Sequence, residues 1–394
     1  MPGSVIVAGA RTPIGKLSGA LASFSAMELG GIAIAAALER AGVAPDQVDY
    51  VFMGQVLLAG QGQITARQAA AKAGIPLSVP STTVNKVCLS GLNAIYLADQ
   101  MIGAGDAEIV VAGGMESMTV APYLLPGARA GYRAGDAAVV DSMMFDGLTC
   151  AFDQCAMGLA TDRYNQSVGI SRERQDAFAA ASHEKAAAAA KDGRFAEEIV
   201  SVSVPQRRGE PILVDTDEGV RPGTTPETLA ALRPAFDPAG TITAGNASQI
   251  SDGGAAVIVM SKAKAESLGV TPLGEFVSYG QVAGPDPSLL LQPAAAIAQA
   301  LGKANLEVGA VDLFEINEAF AAVGLASADQ LGIDEERLNV NGGAIALGHP
   351  VGMSGTRLAL TALLELKRRG GSLAAVSLCG GGGQGDALVV RSLA

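Results

Sequence analysis

Apolar positions along the chain fall into short runs that alternate with longer stretches of helical spacing. Residues 5–8 form the first run and read as a buried strand. ALERA at 37–41 leads into VDYVF at 48–52, and ALGKA at 300–304 leads into VDLFE at 311–315, an offset of 263. Each pair reads as a helix end, a short connection and a buried strand. Further on, Ser90 and Gly91 open an apolar helix to about residue 102, and a strand at 109–112 ends in Gly113 and Gly114. Ser354 and Gly355 open another helix to about residue 369, and a strand at 373–378 runs into Gly380. That second match has an offset of 264. Two matches in order at nearly one offset predict an internal duplication rather than chance similarity of short apolar stretches.

In the first repeated helix, Ala94, Leu97, Ala98 and Met101 share one stripe, and Leu92, Ile95 and Tyr96 share another. A helix apolar on most of its surface is predicted to lie between layers. Ala359, Ala362, Leu363 and Leu366 repeat the spacing. Lys367, Arg368 and Arg369 then suit the helix C-terminus, and Gly370 supplies the stop. Each half alternates strand and helix, which predicts an α/β fold of sheets flanked by helices. The first half spans 1–118 and the second 272–394. Residues 119–248 differ, with Met- and Gly-rich loops, a helix at 172–191 capped by Ser171 and stopped near Gly193, and then Pro-rich turns. A buried strand at 253–260 rejoins the first half, so 249–271 belongs with it and 119–248 reads as an inserted lobe.

Composition narrows the function. The 394 residues hold 27 Lys and Arg against 39 Asp and Glu, a net charge of −12. That acidity argues against general binding of nucleic acid or an anionic membrane, and leaves a small anionic ligand met by a local positive patch. There is no Trp, and the aromatic fraction is 4%, so the core is built from Ala, Val, Leu and Ile. Four cysteines and two histidines form neither a disulfide framework nor, despite the spacing of Cys150 and Cys155, a four-ligand zinc set. No metal is expected. The N-terminus has no basic region, no run of about 18 apolar residues occurs, and a cytoplasmic location is expected.

Two phosphate-binding patterns fail. Gly380, Gly382 and Gly385 match the spacing of a dinucleotide fingerprint, but the residues after them read as a strand and not a helix. Gly15-Lys16 has Ala10 where a P-loop has its first Gly, and Leu17 where it has Ser or Thr. Cys88 lies where a strand turns into the first buried helix. It is either a buried structural cysteine or a thiol whose pKa the helix dipole lowers. His349, followed by Pro350, sits in a glycine-bracketed loop that fixes its imidazole, whereas His183 lies in an Ala- and Lys-rich helix and reads as a solvated surface residue. Cys379 ends the last apolar run ahead of four glycines. Their exposed N–H groups suit an oxyanion hole, and a tight layer contact or β-bulge is the alternative reading. NEAF at 317–320 follows the strand of the second half, where packing needs no polar side chain.

At these residues the chain resembles the thiolase family. VNKVCLSG at 84–91, NEAF at 317–320, NVNGGAIALGHPVGMSG at 339–355 and CGGGGQG at 379–385 are similar to its four signature blocks, with TAGNAS at 243–248 between them. The resemblance implies a five-layered α-β-α-β-α core from two similar halves, with an inserted loop domain that binds coenzyme A and covers the site. It implies coenzyme A and acetyl-CoA as substrates with no prosthetic group, and a homotetramer of paired dimers or a homodimer. In the implied ping-pong reaction Cys88 carries the acyl group and His349 activates it. Cys379 exchanges the α-proton, Asn317 holds a water beside His349, and the N–H groups of Cys88 and Gly381 form an oxyanion hole.

For coenzyme A the matching positions are Leu148, Met157, Arg221, Leu232, Phe236, Ala244, Ser248, Ala319 and Phe320. The implied activity is that of an acetyl-CoA C-acetyltransferase, condensing two acetyl-CoA to acetoacetyl-CoA and coenzyme A or running the reverse thiolysis. A β-ketoacyl-CoA thiolase of broader chain length, as in fatty-acid β-oxidation, is the alternative, and an inactive acyl-CoA-binding or lipid-carrier relative is a third reading. One departure bears on chain length. Ala156 precedes Met157-Gly158, where many short-chain members carry a histidine.

Overall fold

The computed structural model describes residues 3–394. From the N-terminus, strand β1 (Ser4–Arg11) leads to helix α1 (Ala26–Ala41), β2 (Tyr50–Gly54), α2 (Thr65–Lys72), β3 (Ser81–Val84), α3 (Ser90–Ala104) and β4 (Ile109–Ser117). The lobe that follows carries α4 (Met157–Val168) and α5 (Arg172–Lys191) before the chain returns as β5 (Ser251–Ser261). The remainder comprises β6 (Gly274–Ala283), α6 (Gln292–Lys303), β7 (Leu313–Ile316), α7 (Ala321–Leu331), α8 (Ser354–Arg369), β8 (Leu373–Gly380) and β9 (Gln384–Ser392). Among the described residues no helix is long and apolar enough to cross a membrane.

Duplication is visible in the strand order. The first half runs β2-β4-β5-β1 and the second β7-β8-β9-β6, with the first pair parallel and the others antiparallel in both. Even the bulges recur, between Ile6 and Ala8 in β1 and between Phe276 and Ser278 in β6. β3 pairs with β2 in parallel, and a single bridge from Phe314 to Leu338 stands in its place in the second half. The half-sheets meet edge to edge through two residue pairs, Val5 with Glu275 and Ile6 with Gly274.

Alternation along the strands then produces five layers. Val51, Val111 and Ile258 face α1 and α2, whereas Phe52, Val110 and Val257 face a central core shared with α3 and α8. In the second half, Val376 and Leu388 face that same central core, and Ala375 and Val389 face α6 and α7. Strands buried on both sides read as continuous apolar runs, as β1 and β5 do. The lobe is anchored by Arg11 of β1, fully buried, which pairs with Glu198 at 2.8 Å and Asp217 at 2.6 Å.

What positions the site is the contact between the first turns of α3 and α8, the two repeated helices. Thr356 Oγ1 donates to the Gly91 carbonyl at 3.1 Å. A Cβ on Gly91 would lie 2.8 Å from the Gly352 carbonyl oxygen, and one on Gly54 would lie 2.7 Å from the Gly91 nitrogen. Only glycine lets these backbones touch. The loops entering α3 and α8 therefore converge, and they carry Cys88 and His349.

Candidate active site

Cys88 sits on a strained turn between β3 and α3. Val87 has φ +51°, a left-handed conformation costly for a β-branched residue, of order 1–3 kcal/mol. Local bonds hold it there. Asn85 Oδ1 accepts the Val87 N–H at 3.2 Å, and Ser90 Oγ accepts the Lys86 N–H at 2.8 Å while donating to the Val87 carbonyl at 2.6 Å. Lys86 Nζ pairs with Asp386 of β9 at 2.7 Å, and Tyr279 donates to the same carboxylate at 2.9 Å. The turn is thus pinned to both halves.

The Cys88 thiol is buried against Val56, Leu57, Met118 and Val351. Burial pushes its pKa up to about 12, against the N–H groups of Cys88 and Gly381, which point at the sulfur. This corrects the expected lowering at a helix start. Desolvation outweighs the dipole in the free site, so the resting sulfur is a thiol. The same two N–H groups are the donors that would meet an oxyanion formed there. Gly381 opens the turn between β8 and β9, with Gly382 and Gly383 at φ +81° and +70°. A Cβ on Gly381 would lie 3.4 Å from Val87.

His349 follows Gly348, whose φ of +111° requires glycine, and its N–H donates to the Gln249 carbonyl at 3.1 Å. Its Nδ1 lies 2.6 Å from Ser354 Oγ, and that hydroxyl donates to the Pro350 carbonyl at 3.1 Å. With its proton spent, the serine oxygen accepts, so Nδ1 carries the hydrogen and Nε2 presents a lone pair. Asn317 Nδ2 at 3.4 Å from Nε2 agrees with that tautomer. Burial, aided by the charge of Arg357, lowers the His349 pKa to about 3 and keeps the ring neutral. Asn317 Oδ1 is buried with no protein partner, an atom suited to a water. Cys379 closes β8, almost wholly buried, and its thiol is raised by burial and by the neighbouring Cys88.

A cleft of about 470 Å³ opens beside His349; Cys88, Cys379, Asn317 and Gly381 are not on its wall, and Cys88 lies behind Met118 and Val351, which are. His349 lines it with Leu148, Met157, Phe236, Ala244, Ser248 and Phe320. Arg221, Leu232 and Ala319 are not on its wall. The Ala319 carbonyl accepts the Ser248 N–H at 3.0 Å, Leu232 is part-exposed beside Gly245, and Arg221 is exposed. Ala156 lines the cleft beside Met157, while Cys155 turns away towards Arg163, 3.8 Å from its sulfur. Sequence reasoning missed Met118, Ile250 and Val351 on the wall, and Ser354 behind the imidazole. Ser354 had a readable signal, since it lies five residues beyond the histidine at the start of a repeated helix.

His183 requires a correction. It is buried rather than solvated, because the segment carrying Arg221 folds over α5 and donates the Arg221 N–H to His183 Nδ1 at 3.2 Å. Burial and the Arg221 charge lower its pKa to about 4.

Comparison with known proteins covers nearly the whole chain. The family model described as "Thiolase, N-terminal domain" matches residues 4–263, and "Thiolase, C-terminal domain" matches 270–392. A probable acetyl-CoA acetyltransferase of Mycolicibacterium smegmatis is 59% identical over 387 residues, 98% of this chain and 100% of the relative. One of Mycobacterium tuberculosis is 57% identical over 392 residues, covering 100% of both chains. An acetyl-CoA acetyltransferase of Cupriavidus necator is 55% identical over 388 residues, 98% of each.

Proposed function

The chain belongs to the thiolase family, and from that premise we propose that it is an acetyl-CoA C-acetyltransferase working through an acyl-cysteine. The observation that carries this reading is the Cys88 sulfur beneath the N–H groups of Cys88 and Gly381, beside Cys379, packed behind Met118 and Val351 of the cleft that His349 lines. Relatives of nearly full coverage named for that activity support it.

In the first half-reaction Cys88 attacks the thioester carbonyl of acetyl-CoA as its proton passes to His349 Nε2. The Cys88 and Gly381 N–H groups take the oxyanion, and coenzyme A leaves with the proton. In the second, Cys379 gives its proton to His349 Nε2 and as the thiolate removes the α-proton of another acetyl-CoA, while the His349 imidazolium and a water held by Asn317 stabilise the enolate oxygen. The enolate carbon attacks the acyl-cysteine, and Cys88 is expelled as acetoacetyl-CoA forms, taking the proton from the His349 imidazolium to return to the resting thiol. A single Cys–His pair suffices for acyl transfer, so a second buried cysteine beside it points to chemistry at carbon.

Residues 119–248 are the covering, coenzyme A-binding domain of this proposal, inserted between 1–118 and 249–271, with 272–394 as the second half. The antiparallel pairing of β4 with β5 across the insertion supports that division. Leu148, Met157, Arg221, Leu232, Phe236, Ala244, Ser248, Ala319 and Phe320 are proposed to contact coenzyme A. A cytoplasmic homo-oligomer is proposed as well. Tyr123, Leu125 and Val139, each half or more exposed, and the open edge of β3 support the oligomer.

Incubation with acetoacetyl-CoA and coenzyme A should yield acetyl-CoA. Ligand binding without turnover would favour the inactive carrier reading instead. Ala156 favours a broader chain length, since the alanine leaves room beside Met157. Each additional buried methylene is worth about 0.8 kcal/mol, roughly fourfold. Thiolysis kcat/KM should therefore persist from four- to six-carbon substrates and narrow to the shorter one in Ala156→His. A wild-type profile that collapses beyond four carbons, unchanged by the substitution, contradicts this.

A further inference from the structure

Glu116 is fully buried near the end of β4, where the sheet needs no charge. The registers that pair Val51 with Val111 and Phe314 with Ala375 set Glu116 against Gly380 in the other half, a residue with no side chain. The carboxylate accepts three backbone N–H groups from two loops. Oε2 takes Val56 at 2.9 Å and Gly352 at 3.1 Å, and Oε1 takes Leu57 at 3.2 Å. Gly352 lies three residues after His349, and Val56 and Leu57 pack against Cys88 and Val351.

We propose that Glu116 is a positioning residue whose carboxylate ties the peptide after His349 to the loop beside Cys88, fixing the imidazole against the thiol for acyl transfer. The inference rests on the acyl-cysteine reading above. Hydrogen bonds to an anion are the strong ones, and a misplacement of about 1 Å between reacting groups costs about 10²-fold.

The ionisable groups facing Glu116 are Asp252 on β5, whose charge opposes its ionisation, and Cys88 ahead of α3, a neutral thiol through neutrality whose own ionisation Glu116 opposes. Burial acts in the same direction, and with the three N–H groups resisting, the pKa rises from 4.5 to about 7. A folded pKa raised in this way means the charged form costs stability, progressively as pH climbs from 4.5 to about 7. The anion accepts all three N–H groups, whereas the protonated carboxyl must turn one oxygen into a donor. The clamp is complete above about pH 7 and loosened below it.

The test is single-turnover acylation of Cys88 by acetyl-CoA in the wild type and in E116Q. Wild-type acylation should rise with pH through neutrality. E116Q should lose that rise and acylate about 10²-fold more slowly, with KM nearly unchanged. Iodoacetamide should alkylate Cys88 in E116Q at least as fast as in the wild type, because a repelling charge has gone. A purely electrostatic role would instead speed both reactions. Equal acylation rates, or a wild-type rate flat through neutrality, overturn the inference. If E116Q does not fold, E116D takes its place. It keeps the charge on an arm one methylene shorter and should acylate more slowly while iodoacetamide alkylation stays at the wild-type rate, and equal acylation rates overturn the inference. No acyl-enzyme on the wild type at all would overturn the acyl-cysteine reading, and the inference with it.

Discussion

Cys379→Ser should still accept an acetyl group on Cys88 but lose carbon–carbon bond formation and cleavage by about 10²–10⁴-fold, the usual worth of a positioned acid or base. A serine hydroxyl is nearly isosteric with the thiol, so the end of β8 and the Gly381 turn should survive. What disappears is acidity, since an alcohol is a far weaker acid than a thiol. Cys379 already sits at an elevated pKa through burial and the nearby Cys88. An elevated pKa makes its thiolate a stronger base towards the weakly acidic α-carbon of a thioester. Exchange of acetyl-CoA α-protons with deuterated solvent, measured beside acetoacetyl-CoA thiolysis, checks the assignment. Exchange at the wild-type rate in Cys379→Ser would move the base elsewhere.

The second large effect is on stability. Gly114→Ala should destabilise the fold by about 3 kcal/mol or more, the upper range for overpacking. A Cβ at Gly114 would run into the Gly352 carbonyl, which is backbone and has no rotamer to escape to. Any folded remainder should be at least about tenfold less active, because the loop that gives way carries His349. Gly103→Ala is the control. Its added methyl meets nothing within 4 Å, and α3 should gain up to about 1 kcal/mol. Denaturant midpoints at one protein concentration measure both. A Gly114→Ala midpoint equal to that of the wild type would mean that β4 and the loop entering α8 are not in rigid contact.

Much of this arrangement is legible in the sequence because it depends on local signals. The apolar runs and the offsets of 263 and 264 anticipate two halves, and the structure shows those halves with matching strand order and matching bulges. Ser171 and the 172–191 helix follow from local capping chemistry. The features that escape are set by contacts distant along the chain. His183 looks solvated in its own helix, and only the segment bearing Arg221, 38 residues on, buries it. The protonation of Cys88 depends on how completely Val56, Leu57, Met118 and Val351 enclose it, which no helix-start rule reveals. Glu116 follows a run of apolar residues and glycines, and its partners Val56, Leu57 and Gly352 are backbone donors without a sequence signature.

The central claim, that the Cys88 sulfur carries the acyl group through a ping-pong cycle, meets its most direct test in intact-mass spectrometry after incubation with acetyl-CoA. The wild type should gain the mass of one acetyl group per chain, mapped to the peptide holding Cys88. Free coenzyme A should discharge it, and Cys88→Ser should gain nothing. An acetyl group that persists on Cys88→Ser and vanishes on Cys379→Ser would contradict the account and reverse the roles of the two cysteines.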